Sequence, residues 1–332
     1  MSLKFLYSSV RPPDPELTES SAARDNRKMR LDILSYFQTR AQPAPNTRRY
    51  LDLLKSTLLN EIYLENEARL FYISAMCATG QPLDFDLVRD IEQSQPDLMK
   101  KIRAARKEGR PWWKWNFEKD GQRETFNLRN NCEFSHTMIG RKRLDNIDEC
   151  LDAIRADGIK GDLIETGVWR GGAAIFMRGY LAAHGMEGRT VWVADSFEGL
   201  PTPTFKEDAG FDYSKEQMPI LAISLEEVRE NFRRHGLLDD QVRFLKGWFK
   251  NTLHRAPIKT LALARLDGDL YESTRDALTA LYDKLASGGF LIVDDYGDFQ
   301  PCRLAVDEFR SAHGITTPLK KIDWTGVFWR KP

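Results

Sequence analysis

Cysteine is scarce: the 332-residue sequence holds four, Cys77, Cys132, Cys150 and Cys302, and no two stand in C-x-x-C spacing. That excludes a disulfide framework and a zinc ribbon, and it predicts four reduced, mostly buried thiols. An excess of either charge is also lacking. Lys plus Arg number 49 and Asp plus Glu number 49, so no basic surplus awaits a nucleic acid. No run approaches the roughly 20 apolar residues that cross a bilayer. Residues 1–15 lack the apolar core and small-residue cleavage pattern of a signal peptide. Together these absences predict a soluble, cytoplasmic protein with no nucleic-acid and no membrane partner. The five histidines are scattered without H-E-x-x-H spacing, and there is neither a G-x-S-x-G elbow nor a G-x-x-x-x-G-K-[ST] phosphate loop.

What is present is an ordinary globular balance, 42% hydrophobic and 30% charged, in a chain long enough for about two domains. The division falls near residue 137, giving a region 1–136 and a region 137–332. Residues 1–45 are rich in Pro, Ser, Arg and Asp and predict a loosely held arm, with one short helix around Leu31, Ile33, Leu34 and Phe37. From Arg49 to Cys77 apolar residues recur at three- and four-residue intervals, the pattern of an amphipathic helical hairpin. A further helical stretch runs from about Phe85 to Arg106. The aromatic run Trp112-Trp113-Lys114-Trp115-Asn116-Phe117 follows, suited to stacking on a ligand or to sealing an interface.

Beyond Thr137 strands and helices alternate. Asp162–Thr166, Thr190–Ala194, Gln241–Leu245, Leu261–Leu266 and Phe290–Val293 read as buried strands. The intervening helices include one opened by a Ser224-x-x-Glu227 capping box and one opened by Ser273-x-x-Asp276. Such alternation predicts an α/β fold, a Rossmann-like doubly wound, mostly parallel sheet with an N-terminal helical extension. Ligands of these sheets sit beyond the carboxyl ends of the strands.

The first strand runs through Glu165 into Gly167 and then Gly171-Gly172. This is not G-x-G-x-x-G; the acid suits a ligand carrying positive charge, such as an amino acid or a sulfonium, better than a pyrophosphate. Asp195, at the tip of the second strand, is placed to bind both hydroxyls of a ribose, so an adenosine-containing cofactor fits the pair. Asp267 and Asp269 end the fourth strand and Asp294 and Asp295 the fifth. Four carboxylates converging there cannot all stay ionised without compensation, and a hard cation such as Mg²⁺ would supply it. The plainer alternative is that some of them cap helices or pair with Arg265 and Arg275.

Several blocks in order give the chain a resemblance to the macrocin O-methyltransferase (TylF-like) family. They are Thr137–Gly140 with Arg143–Asn146, Ile164–Gly172, Asp195–Pro201, Leu266–Thr274, Val293–Gly297 and Ile322–Gly326, with an echo in Tyr50–Lys55. The resemblance implies a class I methyltransferase fold and an S-adenosylmethionine- and Mg²⁺-dependent O-methyltransferase of natural-product sugars. It implies Asp267, Asp294 and Asp295 as metal ligands and Asp269 as general base. Met138, Glu165, Gly167, Asp195, Ser196, Gly247 and Trp248 match cofactor positions. The segment between about Glu67 and Cys132 is longer than the family pattern. The expected partner is a small-molecule hydroxyl acceptor, a glycosylated natural product, with a vicinal diol favoured by the clustered acids; phenolic, carboxylate and peptide acceptors stay open. The N-terminal helices are expected to build a homo-oligomer. Two rival readings remain: a metal-dependent glycosyltransferase using Asp267-Gly268-Asp269 as a D-x-D motif, and a non-catalytic scaffold.

Overall fold

The computed structural model describes residues 45–109, 112–119, 122–129 and 134–332. The arm, its expected helix near residues 31–37 and Cys132 lie outside the described residues. Helix α1 spans Pro45–Leu58, α2 spans Glu65–Thr79 and α3 spans Pro96–Glu108, with short helical turns at Phe85–Arg89 and Ile91–Ser94 between the last two. The single helix expected over residues 85–106 is therefore broken. Asp84 caps the first turn by accepting the N–H groups of Asp86 and Leu87 at 3.0 Å, and Pro96 starts a new helix because the residue before a proline avoids the helical conformation.

The chain forms two compact units. The smaller takes in Tyr63–Arg103 and the strands β1 (Trp112–Lys119) and β2 (Gln122–Arg129). Its core gathers Phe71, Tyr72, Met76, Ile91, Leu98 and Ile102. The aromatic run, to which no secondary structure was assigned above, forms the strand β1, paired antiparallel with β2 so that Trp115 stands opposite Phe126. The strands are separated in sequence by Asp120-Gly121, a dipeptide favoured in two-residue hairpin turns.

The larger unit comprises the described parts of Pro43–Ile62, Ala104–Arg110 and Phe134–Pro332. Its elements after α3 are α4 (Gly140–Ala156), β3 (Asp162–Thr166), α5 (Gly172–Ala183), β4 (Val191–Asp195) and α6 (Leu225–Arg234). There follow β5 (Val242–Lys246), β6 (Leu261–Leu266), α7 (Tyr271–Leu281), β7 (Leu285–Val293), α8 (Gln300–Ala312), β8 (Lys320–Lys321) and β9 (Val327–Arg330). The seven strands lie in the order β5-β4-β3-β6-β7-β9-β8. The first five are parallel; β9 runs antiparallel to both β7 and β8. The reversal of order between β3 and β6 opens a crevice at their carboxyl ends.

Both faces of the sheet are covered, which is why its strands read as nearly continuous apolar runs. Ile164, Trp192, Ala264 and Leu291 face a core shared with Leu278, Leu281, Phe309 and Trp329. The helical hairpin expected over Arg49–Cys77 divides between the units, because α1 is fastened to the larger one. Lys55 is fully buried and its Nζ donates to Asp145 and Asp148, each at 2.7 Å. Leu54 packs so close to Gly179 that a Cβ there would come within 2.2 Å of its Cδ2.

The structure departs from expectation at three further places. The sheet carries β8 and β9 beyond the five expected strands. β7 begins at Leu285, ahead of the Gly288-Gly289 pair, and a register irregularity against β6 absorbs the extra length. Helix α7 begins at Tyr271 rather than at the expected Ser273, and no local side chain caps it. Instead Asp208, from the β4–α6 connection, accepts the N–H of Tyr271 at 2.6 Å and that of Glu272 at 3.2 Å. The capping box at Ser224 forms as expected, with Ser224 accepting the N–H of Glu227 at 3.1 Å. Of the described thiols, Cys150 and Cys302 are buried and Cys77 is exposed.

Candidate active site

The crevice begins at the turn after β3. Gly167 has φ 78°, and a Cβ there would lie 1.6 Å from the carbonyl oxygen of Asp267, so only glycine fits. Gly167 donates to Ala194 O at 2.9 Å, tying the turn to β4. Asp195, at the end of β4, spends its carboxylate on this framework: it accepts the N–H of Val168 and that of Phe197, each at 2.7 Å. Ser196 donates to Gly199 O at 2.6 Å. Gly247, at the end of β5, donates to Asp195 O at 2.8 Å, and half-buried Trp248 follows it. Gly172 donates to His136 O at 2.9 Å, which brings the segment carrying Met138 to the same turn. These backbone bonds gather the segments that carry the expected cofactor positions at the ends of β3, β4 and β5.

Glu165 sits deeper than a surface acid. It is buried, with Oε1 receiving a 2.6 Å hydrogen bond from Arg265 and Oε2 buried without a hydrogen-bond partner. Burial pushes its carboxyl up to about 8 against the pull of Arg265.

The acids meet at the ends of β6 and β7. Asp267, Asp294 and Asp295 each offer a carboxylate oxygen, all within 4.8 Å of one another. Their backbones are locked in register, with Asp267 N–H on Thr166 O and Asp294 N–H on Leu266 O, both at 2.9 Å. Two arginines supply part of the counter-charge. Arg265, almost fully buried, also donates to Asp267 at 2.8 Å and to Asp294. Arg143 reaches Asp294 and, at 3.0 Å, Asp323. The expected alternative of arginine pairing is thus realised for Asp267 and Asp294 by Arg265, whereas Arg275 pairs with Asp276 instead.

Asp295 is different. It is buried, its Oδ2 has no hydrogen-bond partner, and burial with the charges of Asp269, Asp267 and Asp294 pushes its carboxyl well above the usual range. Three converging carboxylates with one orphaned oxygen are a donor set that fits a hard divalent cation. Asp269 stands beside them at φ 54°, a left-handed conformation tolerated by Asp. Its carboxyl is pushed up to about 8, first by burial and then by Asp267 and Asp294.

Comparison with known proteins decides the family. Residues 47–331 match the model of the macrocin O-methyltransferase (TylF) family. The chain belongs to that family. It is an O-methyltransferase, and its fold is that of the class I methyltransferases. The chain is 46% identical over 283 residues to the 8-demethyl-8-(2,3-dimethoxy-alpha-L-rhamnosyl)-tetracenomycin-C 4'-O-methyltransferase of Streptomyces olivaceus, covering 85% of this chain and 92% of that protein. It is 54% identical over 205 residues to the demethyldecarbamoylnovobiocin O-methyltransferase of Streptomyces niveus, covering 59% and 76% respectively. The solved structure of the O-methyltransferase NovP superposes with a TM-score of 0.66 at 42% identity, over 86% of this chain and 99% of that one. Family membership sets aside both the glycosyltransferase and the scaffold readings. Among the described residues no helix is long and apolar enough to cross a membrane.

Arg143, Asp323 and Asp208 carry no role in the expected site. Arg143 and Asp323 lie within blocks that carry the family resemblance, and that was their only signal. Asp208 had none, because its partner N–H groups are more than sixty residues away.

Proposed function

We propose that the chain methylates a sugar hydroxyl of a glycosylated natural product, with S-adenosylmethionine as methyl donor and Mg²⁺ held by Asp267, Asp294 and Asp295. One observation carries this: three carboxylates converge within 4.8 Å immediately beside the glycine turn, with one buried oxygen left over. When bound, the sulfonium supplies an electrophilic methyl group and the cation lowers the pKa of an oxygen it touches.

The chain's own residues do the rest. Glu165, Gly167, Asp195 and Ser196, with Met138, Gly247 and Trp248, hold the donor at the ends of β3 to β5. Fixing both reactants in line can supply roughly 7–11 kcal/mol of the barrier. Asp269, standing beside these acids, would accept the proton that the acceptor hydroxyl gives up. The reading includes a homo-oligomer built by the N-terminal helices, which light scattering on the full chain would test.

The deciding experiment is Asp267→Ala, assayed for Mg²⁺-dependent methyl transfer and, by calorimetry, for S-adenosylhomocysteine binding. Turnover should fall at least 100-fold while the cofactor product binds within about threefold of the parent chain. Metal-independent turnover at the parent rate would refute the assignment.

A further inference from the structure

The connection from β4 to α6, residues 196–224, is far longer than the roughly 2–6 residues usual between a strand and a helix of an α/β unit. Loops of that length earn their place by function or stay loose, and this one is bolted down. Asp208, fully buried, caps α7, the helix that starts directly after Asp267-Gly268-Asp269. Thr204 donates to Glu272 at 3.1 Å, and Arg275 lies 4.5 Å from the Phe205 ring. Leu200 and Ser214 form a β-bridge that closes the loop on itself.

Two aromatic residues lie between those fixings. Phe211 and Tyr213 have ring centroids 6.4 Å apart, and both approach Phe299, at 6.3 and 5.7 Å. Phe299 is itself anchored to the acid cluster, because its N–H donates to Asp295 O at 2.9 Å. Tyr213 also feels that cluster: after burial, the negative charge of Asp269 is what raises its hydroxyl pKa, followed by Asp298. All three rings are half-buried, so each keeps a face or an edge in solvent.

We propose that Phe211, Tyr213 and Phe299 form the acceptor-side wall of the active site, a surface for the apolar face of a sugar ring, and that they determine which acceptor is bound. This deepens the sugar-methylating reading and rests on it. The rings meet at 47–68° to one another. Tilted rings of this kind are ordinary aromatic packing, and what they leave toward solvent is an apolar surface on which the C–H-rich face of a sugar ring can lie. A mostly aromatic lining with one or two polar atoms is also the usual composition of a small-molecule site.

The test uses the full chain with Mg²⁺ and S-adenosylmethionine, and two acceptors sharing one sugar: methyl and p-nitrophenyl α-L-rhamnopyranoside. Phe211→Ala and Phe299→Ala should each raise the acceptor KM at least fivefold, by the same factor for both glycosides. The KM for S-adenosylmethionine should not move, and Phe211→Tyr should restore the acceptor KM, which a merely structural role would not predict. Unchanged acceptor KM in both alanine variants, or a loss confined to the aryl glycoside, overturns the wall. A parent chain that binds S-adenosylhomocysteine yet methylates neither glycoside refutes the sugar reading, and the wall with it.

Discussion

Replacing Asp208 by alanine removes the buried cap by which the long β4–α6 connection holds the helix behind the acid cluster, while the Thr204–Glu272 and Phe205–Arg275 contacts stay in place. The side chain is fully buried and satisfies two backbone N–H groups, at Tyr271 and Glu272, that nothing local caps. Loss of an ordinary N-cap costs about 0.5–2 kcal/mol, and a buried donor left unpaired costs about 1–3 kcal/mol. Burial of the carboxylate, which raises its pKa, offsets part of this. The two figures describe the same lost bonds, so the net expectation for Asp208→Ala is a loss of about 1–3 kcal/mol. Asp208→Asn keeps an acceptor oxygen but loses the charge at the helix N-terminus, worth about 0.3–1 kcal/mol, so it should lose less than half as much. Urea unfolding at pH 7, followed by far-ultraviolet circular dichroism, reads both. An alanine variant within 0.5 kcal/mol of the parent, or an asparagine variant worse than alanine, would show that the cap does not hold the loop.

Lys55→Met should destabilise the chain in the same assay, by less than the about 3–5 kcal/mol of a fully orphaned buried charge, because buried Asp148 keeps only the half-exposed Arg48 as partner; a stabilised variant would refute the fastening role of that pair. Gly167→Ala should abolish S-adenosylhomocysteine binding in calorimetry, since its methyl group would strike the Asp267 carbonyl; parent-like affinity would show that the turn yields. His136, held near 4 by burial and then by His235, binds its proton less readily folded than unfolded. Its contribution is therefore present above pH 6.5 and lost as the pH falls towards 4, by up to about 3 kcal/mol. His136→Gln should flatten the stability profile between pH 6.5 and 4, and an unchanged slope would contradict this.

How much of the fold was legible depended on where each signal lived. β6 matches its expected limits and β3 does too, because strands buried on both faces carry an unbroken apolar run that needs no partner to be read. Ser224 was legible for a similar reason: donor and acceptor sit three residues apart. The same motif at Ser273 misled, since Ser273 lies inside the first turns of α7 and the actual cap comes from Asp208. A local pattern lost to a tertiary contact that no window of sequence contains. β8 and β9 escaped because the first has only two residues and the second is half aromatic and basic, too short for either periodicity to register. The aromatic strand β1 did have a signal in the sequence, the Asp120-Gly121 dipeptide that separates it from β2.

The acids were legible as residues but their charge balance was not. Strand ends fix where Asp267, Asp294 and Asp295 emerge, so their convergence follows from topology. Which cations meet them depends on side-chain direction. Arg265 lies on β6 two residues before Asp267, which follows the end of the strand, and the extended backbone turns both side chains the same way. That geometry lets one guanidinium touch Glu165 on β3, Asp267 just past β6 and Asp294 just past β7 at once. A cation entering this cluster meets carboxylates already gathered by arginines rather than bare ones. Asp295, which neither Arg265 nor Arg143 bonds, is then the carboxyl whose charge such a cation would compensate most.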